Sequence, residues 1–197
     1  QTDSLQKIIS KKLVNASLLQ FVFKLPVDSL PLIPVGFQPD SAEWYMTEFG
    51  TKRDTVNFWL KQGLPDTIRV CINLPDSLSD TSKYILSKVR PEKQAISRKK
   101  ENLGPSVGIT ANTYAGMLDY YKDFRLTFTI PLQAYDTSRL SLFTPSDTLI
   151  PRFSLTDSLK RHGMLHYKLT PGEIYVLNAD DSAFLDISGA YSDSSFF

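Results

Sequence analysis

The chain has 197 residues, 42% of them hydrophobic and 22% charged, a balance that supports a packed core and excludes wholesale disorder. Its 22 basic and 21 acidic side chains leave a formal net charge of +1, which gives no field to draw nucleic acid or an anionic membrane surface as the main partner. The one cysteine, Cys71, excludes an internal disulfide, a thiolate zinc cluster and a redox pair within the chain, and no run approaches the roughly 20 apolar residues of a membrane-spanning helix.

The N-terminal residues lack the charged and apolar regions of a signal peptide, so any export signal or lipid anchor is expected to have been removed or to lie outside this sequence. Asp outnumbers Glu by 16 to 5, and 12 of the Asp residues stand directly before Ser or Thr. Such pairs hydrogen-bond nearby backbone and set turns, while Thr is comfortable at the start of a strand, so the punctuation is that of β structure. Helical signals are sparse, the two candidates being residues 3–12 and 157–161.

Residues 13–15 lead into a strand predicted over 18–27, where Leu19, Phe21, Phe23 and Leu25 recur at period two before Pro26 removes a ladder donor. Pro31 and Pro34 make residues 30–37 an edge strand or extended loop. Residues 43–49 form a further strand around Trp44 and Met46. The stretch 53–73 reads as two antiparallel strands joined by Lys61-Gln62-Gly63-Leu64-Pro65, with Val56, Phe58 and Leu60 on one face of the first and Ile68, Val70 and Ile72 on one face of the second. The same alternation sets Trp59 and Cys71 on the opposite faces. A polar turn at 76–80 and a strand over 83–89 complete this half.

Residues 90–104 are charged and aperiodic and end in Asn102-Leu103-Gly104, followed by Pro105, as expected of a linker. Beyond it Leu126-Thr-Phe-Thr-Ile-Pro131 repeats the layout of Phe21-Val-Phe-Lys-Leu-Pro26, and residues 164–169 and 173–177 take the places of the strands in 53–73. A weak repeat of roughly 100 residues has the size of a whole domain. Short strands at regular spacing therefore predict an all-β chain of two tandem antiparallel β-sandwich domains, residues 1–103 with the linker from about 90, and residues 104–197.

The segments Phe21–Asp28, Trp44–Glu48, Arg53–Leu60 and Asp66–Arg69 in the first half, with Leu126–Pro131, Tyr135–Leu140 and Phe184–Gly189 in the second, resemble the exported Ig-like-domain proteins of Bacteroidetes, which are related to the Ig-like domain of bacterial surface-layer proteins. The resemblance covers most of the chain and rests on the order and spacing of short structural motifs. It implies Ig-like sandwiches in a cell-envelope lipoprotein, anchored outside this sequence and serving as spacers or adhesive modules at the surface. It implies no catalytic residues.

The residues themselves carry no Gly-x-Ser-x-Gly elbow, Walker loop, dinucleotide fingerprint or His-Glu-x-x-His motif, so neither an enzyme nor a cofactor is expected. His162 and His166 have helical ligand spacing, but on a strand four residues span roughly 13 Å and cannot share one ion. Asp180, Asp181, Asp186 and Asp193 do not match an EF-hand, and Asp181-Ser182 and Asp193-Ser194 have a turn explanation, so no metal is expected. Arg98-Lys99-Lys100 is too small a basic cluster for nucleic acid. Among the aromatic residues that offer large faces to a sugar ring or a protein partner, Trp44, Trp59, Tyr120 and Tyr121 are the ligand-binding candidates, with Tyr114 and Tyr45 beside them. The expected partner is a protein or glycan at the cell surface, the second making the chain a carbohydrate-binding accessory module.

Overall fold

The period-two apolar positions become the inward faces of antiparallel strands in the computed structural model, which describes residues 5–74, 79–88 and 106–197. The protein is all-β, and its helical content among the described residues is limited to short 3-10 turns such as Leu86–Lys88 and Thr137–Arg139. The chain divides into two compact units, Gln1–Arg98 and Lys99–Phe197. The expected linker, the boundary at 103/104 and the basic cluster at 98–100 lie outside the described residues, as does most of the turn expected at 76–80.

Unit 1 contains β1 (Ile8–Asn15), β2 (Leu18–Phe23), β3 (Leu32–Pro34), β4 (Tyr45–Phe49), β5 (Thr55–Leu60), β6 (Thr67–Asn73) and β7 (Ser79–Ile85). They form a four-stranded sheet ordered β1-β2-β5-β4 and a three-stranded sheet ordered β3-β6-β7. Leu19, Phe21, Phe23, Val56, Phe58 and Leu60 from the first sheet meet Leu32, Ile68, Val70, Ile72 and Tyr84 from the second in one buried core, an arrangement consistent with a β-sandwich. Pro34 closes β3 at a sheet edge, where a missing N–H costs no ladder bond. Lys11 on β1 and Asp80 on β7, two further edge strands, form an ion pair at 2.7 Å.

Several expectations are corrected. The strands of 53–73 exist with the expected inward faces, but β5 pairs with β2 and β4 while β6 pairs with β3 and β7. Residues 61–66 thus carry the chain from one sheet to the other rather than closing a hairpin. The helix considered for 3–12 gives way to β1, whose exposed Lys11 and Lys12 and half-buried Leu13 pair along β2. The strand expected over 83–89 begins earlier and ends at Ile85, where Leu86 N–H turns back to the Asp66 carbonyl at 2.8 Å. Residues 157–161 are a turn in which the Asp157 carboxylate accepts from the Arg161 and His162 N–H groups.

Unit 2 contains β8 (Ile109–Ala111), β9 (Arg125–Phe128), β10 (Leu132–Tyr135), β11 (Leu140–Phe143), β12 (Thr148–Leu149), β13 (Arg152–Leu155), β14 (His162–His166), β15 (Val176–Ala179), β16 (Phe184–Asp186) and β17 (Ser195–Phe196). One four-stranded sheet is ordered β13-β14-β9-β8, another β12-β11-β15-β17, and β10 pairs with β16. Read from its other edge, the first has the connectivity of β1-β2-β5-β4, and β11-β15-β17 follows β3-β6-β7. The likeness extends to one corner. Arg53 in unit 1 and Lys160 in unit 2 both have φ of 56°, and each offers its carbonyl to the N–H of the residue after the strand-ending proline, Val27 or Leu132. Leu126, Phe128, Leu140, Leu142, Leu165, Leu177 and Phe184 fill the core.

Candidate functional site

Trp44 and Trp59 are both packed inside unit 1. Trp44, just before β4, is 5% exposed and meets Phe37 and Tyr45 edge-on at 5.7 and 4.9 Å. Its neighbour Tyr45 is half-buried, with the ring edge-on to Phe58 and the hydroxyl accepting from Leu32 N–H. Trp59 does point away from the inward row of β5, as its position in the alternation requires, but it lies in register between Leu18 and Met46 and is 4% exposed. Its Nε1–H donates to Glu48 Oε2 at 2.7 Å. Neither indole leaves a face to a ligand.

Tyr120 and Tyr121 are the opposite case, 83% and 71% exposed, with their rings perpendicular at 5.5 Å. They belong to the loop between β8 and β9, which also exposes Tyr114 and Met117 at 84% and 68%. The corresponding connection in unit 1, between β1 and β2, is Ala16-Ser17 alone. Unit 2 thus inserts a long connection where the same sheet order needs only a tight turn, and loads it with large apolar side chains that no core covers.

The loop is built rather than slack. At its base the Asn112 side chain stands in for a strand partner, donating to the Asp123 carbonyl at 2.9 Å and accepting from Arg125 N–H at 2.8 Å. Tyr114 and Met117 exchange two backbone hydrogen bonds of 2.9 Å. Between them Ala115 and Gly116 have φ of 50° and 76°, the left-handed pair of a type I′ turn. Leu118 points back against the core of unit 2. A second turn follows, closed by Lys122 N–H on the Asp119 carbonyl at 2.9 Å and by the Lys122–Asp119 ion pair at 2.6 Å. The hydrogen bond from Lys122 holds the Asp119 carboxyl below the usual carboxylate range and raises Lys122 in return. Lys122 Nζ also lies 5.5 Å from the Tyr121 ring centre.

Strand register fixes what surrounds this loop. Arg125 pairs with Met164 and His166 with Arg152, so the chain before β9, after β14 and before β13 leaves the sheet at one end of unit 2. The other two segments expose Ile150 at 64% and Ile174 at 81%, with Tyr167 edge-on to Tyr175 at 5.8 Å. In unit 1, by contrast, no aromatic side chain is among the exposed large hydrophobic residues described.

The remaining polar candidates do not converge. His162 and His166 project from the exposed side of β14, their rings 3.3 Å from the Thr127 hydroxyl and 2.7 Å from the Ser154 hydroxyl. A hydroxyl beside an imidazole is half of a nucleophilic arrangement, and no carboxylate orients the His166 ring among the described residues. Asp181 accepts from the Ser194 N–H and hydroxyl, tying the residues after β15 to the start of β17, while buried Asp186 accepts from Ser188 and Ala190 and closes a local turn. Among the described residues no three His, Cys, Asp or Glu side chains gather as metal ligands.

Sequence reading found Tyr114, Tyr120 and Tyr121 but missed Met117, Ile150 and Ile174. The available signal was the loss of apolar period between Ala111 and Arg125 within a half that otherwise repeats the first. No protein-family model matches the chain, and no curated protein sequence is significantly similar to it.

Proposed function

We propose that the chain is a non-enzymatic piece of an exported cell-envelope protein, in which two tandem Ig-like sandwiches carry an adhesive surface on the 112–123 loop. The observation that carries this reading is the insertion itself: two four-stranded sheets of matching strand order, one per unit, one closed by Ala16-Ser17 and the other extended into a braced loop with four exposed apolar side chains. The Ig-like assignment is supported by the order β1-β2-β5-β4 opposite β3-β6-β7, which follows the ABED and CFG sheets of seven-stranded immunoglobulin domains. Tyrosine suits a binding loop because it offers a large rigid face and a polar tip at the cost of ordering only two side-chain torsions. Unit 1, with its aromatic side chains packed away, acts as a spacer.

The alternative, a carbohydrate-binding accessory module, draws on the same tyrosine faces. The perpendicular setting of Tyr120 and Tyr121 favours it less, because a linear polysaccharide stacks on rings arranged as a shared platform. Beads coated with the purified chain, exposed to arrays of host-matrix proteins, glycans and bacterial surface proteins including the chain itself, test the adhesive reading. Binding that is lost in Tyr120→Ser/Tyr121→Ser is expected; absence of binding across all arrays leaves only the spacer role.

A further inference from the structure

We propose, building on the adhesive reading, that the partner of the tyrosine loop is a second copy of the same chain, docked loop to loop about a two-fold axis. An isologous contact requires each group to be complementary to its own kind, because the same patch faces itself. The loop meets that requirement. Tyrosine rings pair edge-to-face with tyrosine rings, as Tyr120 and Tyr121 already do within one copy. A phenol hydroxyl both donates and accepts, so hydroxyl meets hydroxyl without leaving an orphan. The Met117 thioether packs favourably on an aromatic ring.

Charge points the same way. A patch with unpaired charge of one sign repels its copy, whereas here Asp119 is paired with Lys122 at 2.6 Å and Asp123 with Arg125 at 3.7 Å. What the loop presents outward is close to neutral, which disfavours an anionic glycan or anionic lipid and permits self-contact. The size is also adequate. Aromatic side chains present about 150–250 Å² each, so Tyr114, Tyr120 and Tyr121 at their observed exposure supply roughly 350–600 Å² per copy. Met117, Ile150 and Ile174 extend this toward the roughly 800 Å² per partner of a stable specific interface. The geometry therefore fits a weak, reversible pairing, of the kind that gains strength when many copies line two opposed surfaces.

Sedimentation velocity over micromolar to millimolar concentration, in buffer near physiological salt, tests the pairing directly. The expected result is a concentration-dependent shift from monomer to dimer that Tyr120→Ser/Tyr121→Ser weakens at least about tenfold. Tyr191→Ser should not weaken it, because this exposed tyrosine lies by the start of β8, at the opposite end of unit 2. Both Tyr120 and Tyr121 are largely free of the core, so far-UV circular dichroism of the double variant should match the parent; if it does not, Met117→Ser replaces it in the same comparison. A chain that stays monomeric throughout, or a dimer insensitive to these loop substitutions, overturns the proposal. If the chain is monomeric while its beads still bind an arrayed glycan or host protein through the loop, self-pairing falls and the adhesive reading stands.

Discussion

Gly163, the second residue of β14, is buried, and the Phe153 ring lies directly on its backbone. A Cβ built there would stand 2.0 Å from Phe153 Cζ and 2.7 Å from Cε2, far inside van der Waals contact. The ring has no easy retreat, since it packs edge-on to Tyr135 at 5.5 Å and against Phe184 at 5.9 Å. Gly163→Ala must therefore move a core aromatic or bend the strand, an overpacking that typically costs about 1–3 kcal/mol. So short an approach sets the cost in the upper part of that range, about 2–3 kcal/mol; alanine recovers roughly 0.5–1 kcal/mol of the backbone entropy that glycine loses on folding, leaving a net destabilisation of about 1–2.5 kcal/mol. For a unit of this size that lowers the melting temperature by roughly 4–20 °C. Thermal unfolding followed by far-UV circular dichroism measures the shift, and the double variant Gly163→Ala/Phe153→Leu should be less destabilised than the sum of its single changes. If Gly163→Ala melts at or above the parent temperature, or the two changes simply add, the glycine is not there to admit the ring.

Asn112→Ala should remove both braces at the base of the tyrosine loop, costing about 1–2 kcal/mol and hastening limited proteolysis within residues 112–123; an unchanged cleavage rate would deny the brace. Ala115→Gly should stabilise unit 2 by up to about 1 kcal/mol, since glycine accepts a φ of 50° without the steric cost a Cβ incurs, as denaturant titration would show. Buried Trp44 and Trp59 should emit at short wavelength and resist acrylamide quenching, and an emission typical of water-exposed indole would contradict their placement. Asp80→Asn should cost unit 1 about 0.2–1 kcal/mol at neutral pH. The hydrogen bond from Lys11 lowers the folded Asp80 pKa below its ordinary 3.8, so the parent keeps the contribution above that value and loses it as pH falls through the lower folded one. Parent and Asn variant should therefore converge in stability in strong acid.

Which side of each strand faces the core was legible because alternation is a local property: Val56, Phe58 and Leu60, and Ile68, Val70 and Ile72, all lie inward. Which strand pairs with which was not. The segment Lys61 to Pro65 has turn residues that serve a hairpin or a passage between sheets equally well, and only the apolar row of β3 opposite β6 settles the choice. Periodicity likewise set Trp59 on the outer face, but whether that face is wet depends on Leu18 and Met46, which reach it from neighbouring strands. The tyrosine loop was partly legible as chemistry and wholly illegible as an insertion, because that status appears only when the β8–β9 connection is set beside Ala16-Ser17 on an equivalent sheet.

That pairing of a bare turn with a decorated one has an engineering consequence. Unit 1 holds the loop-bearing sheet in the same strand order with no exposed aromatic side chain described, so it serves as a built-in blank for unit 2. Replacing Ala16-Ser17 by residues 112–123 asks whether recognition travels with the loop, and the reciprocal exchange asks whether unit 2 still folds without it. Two units that share a sheet order let one keep the bare turn while the other varies its tip.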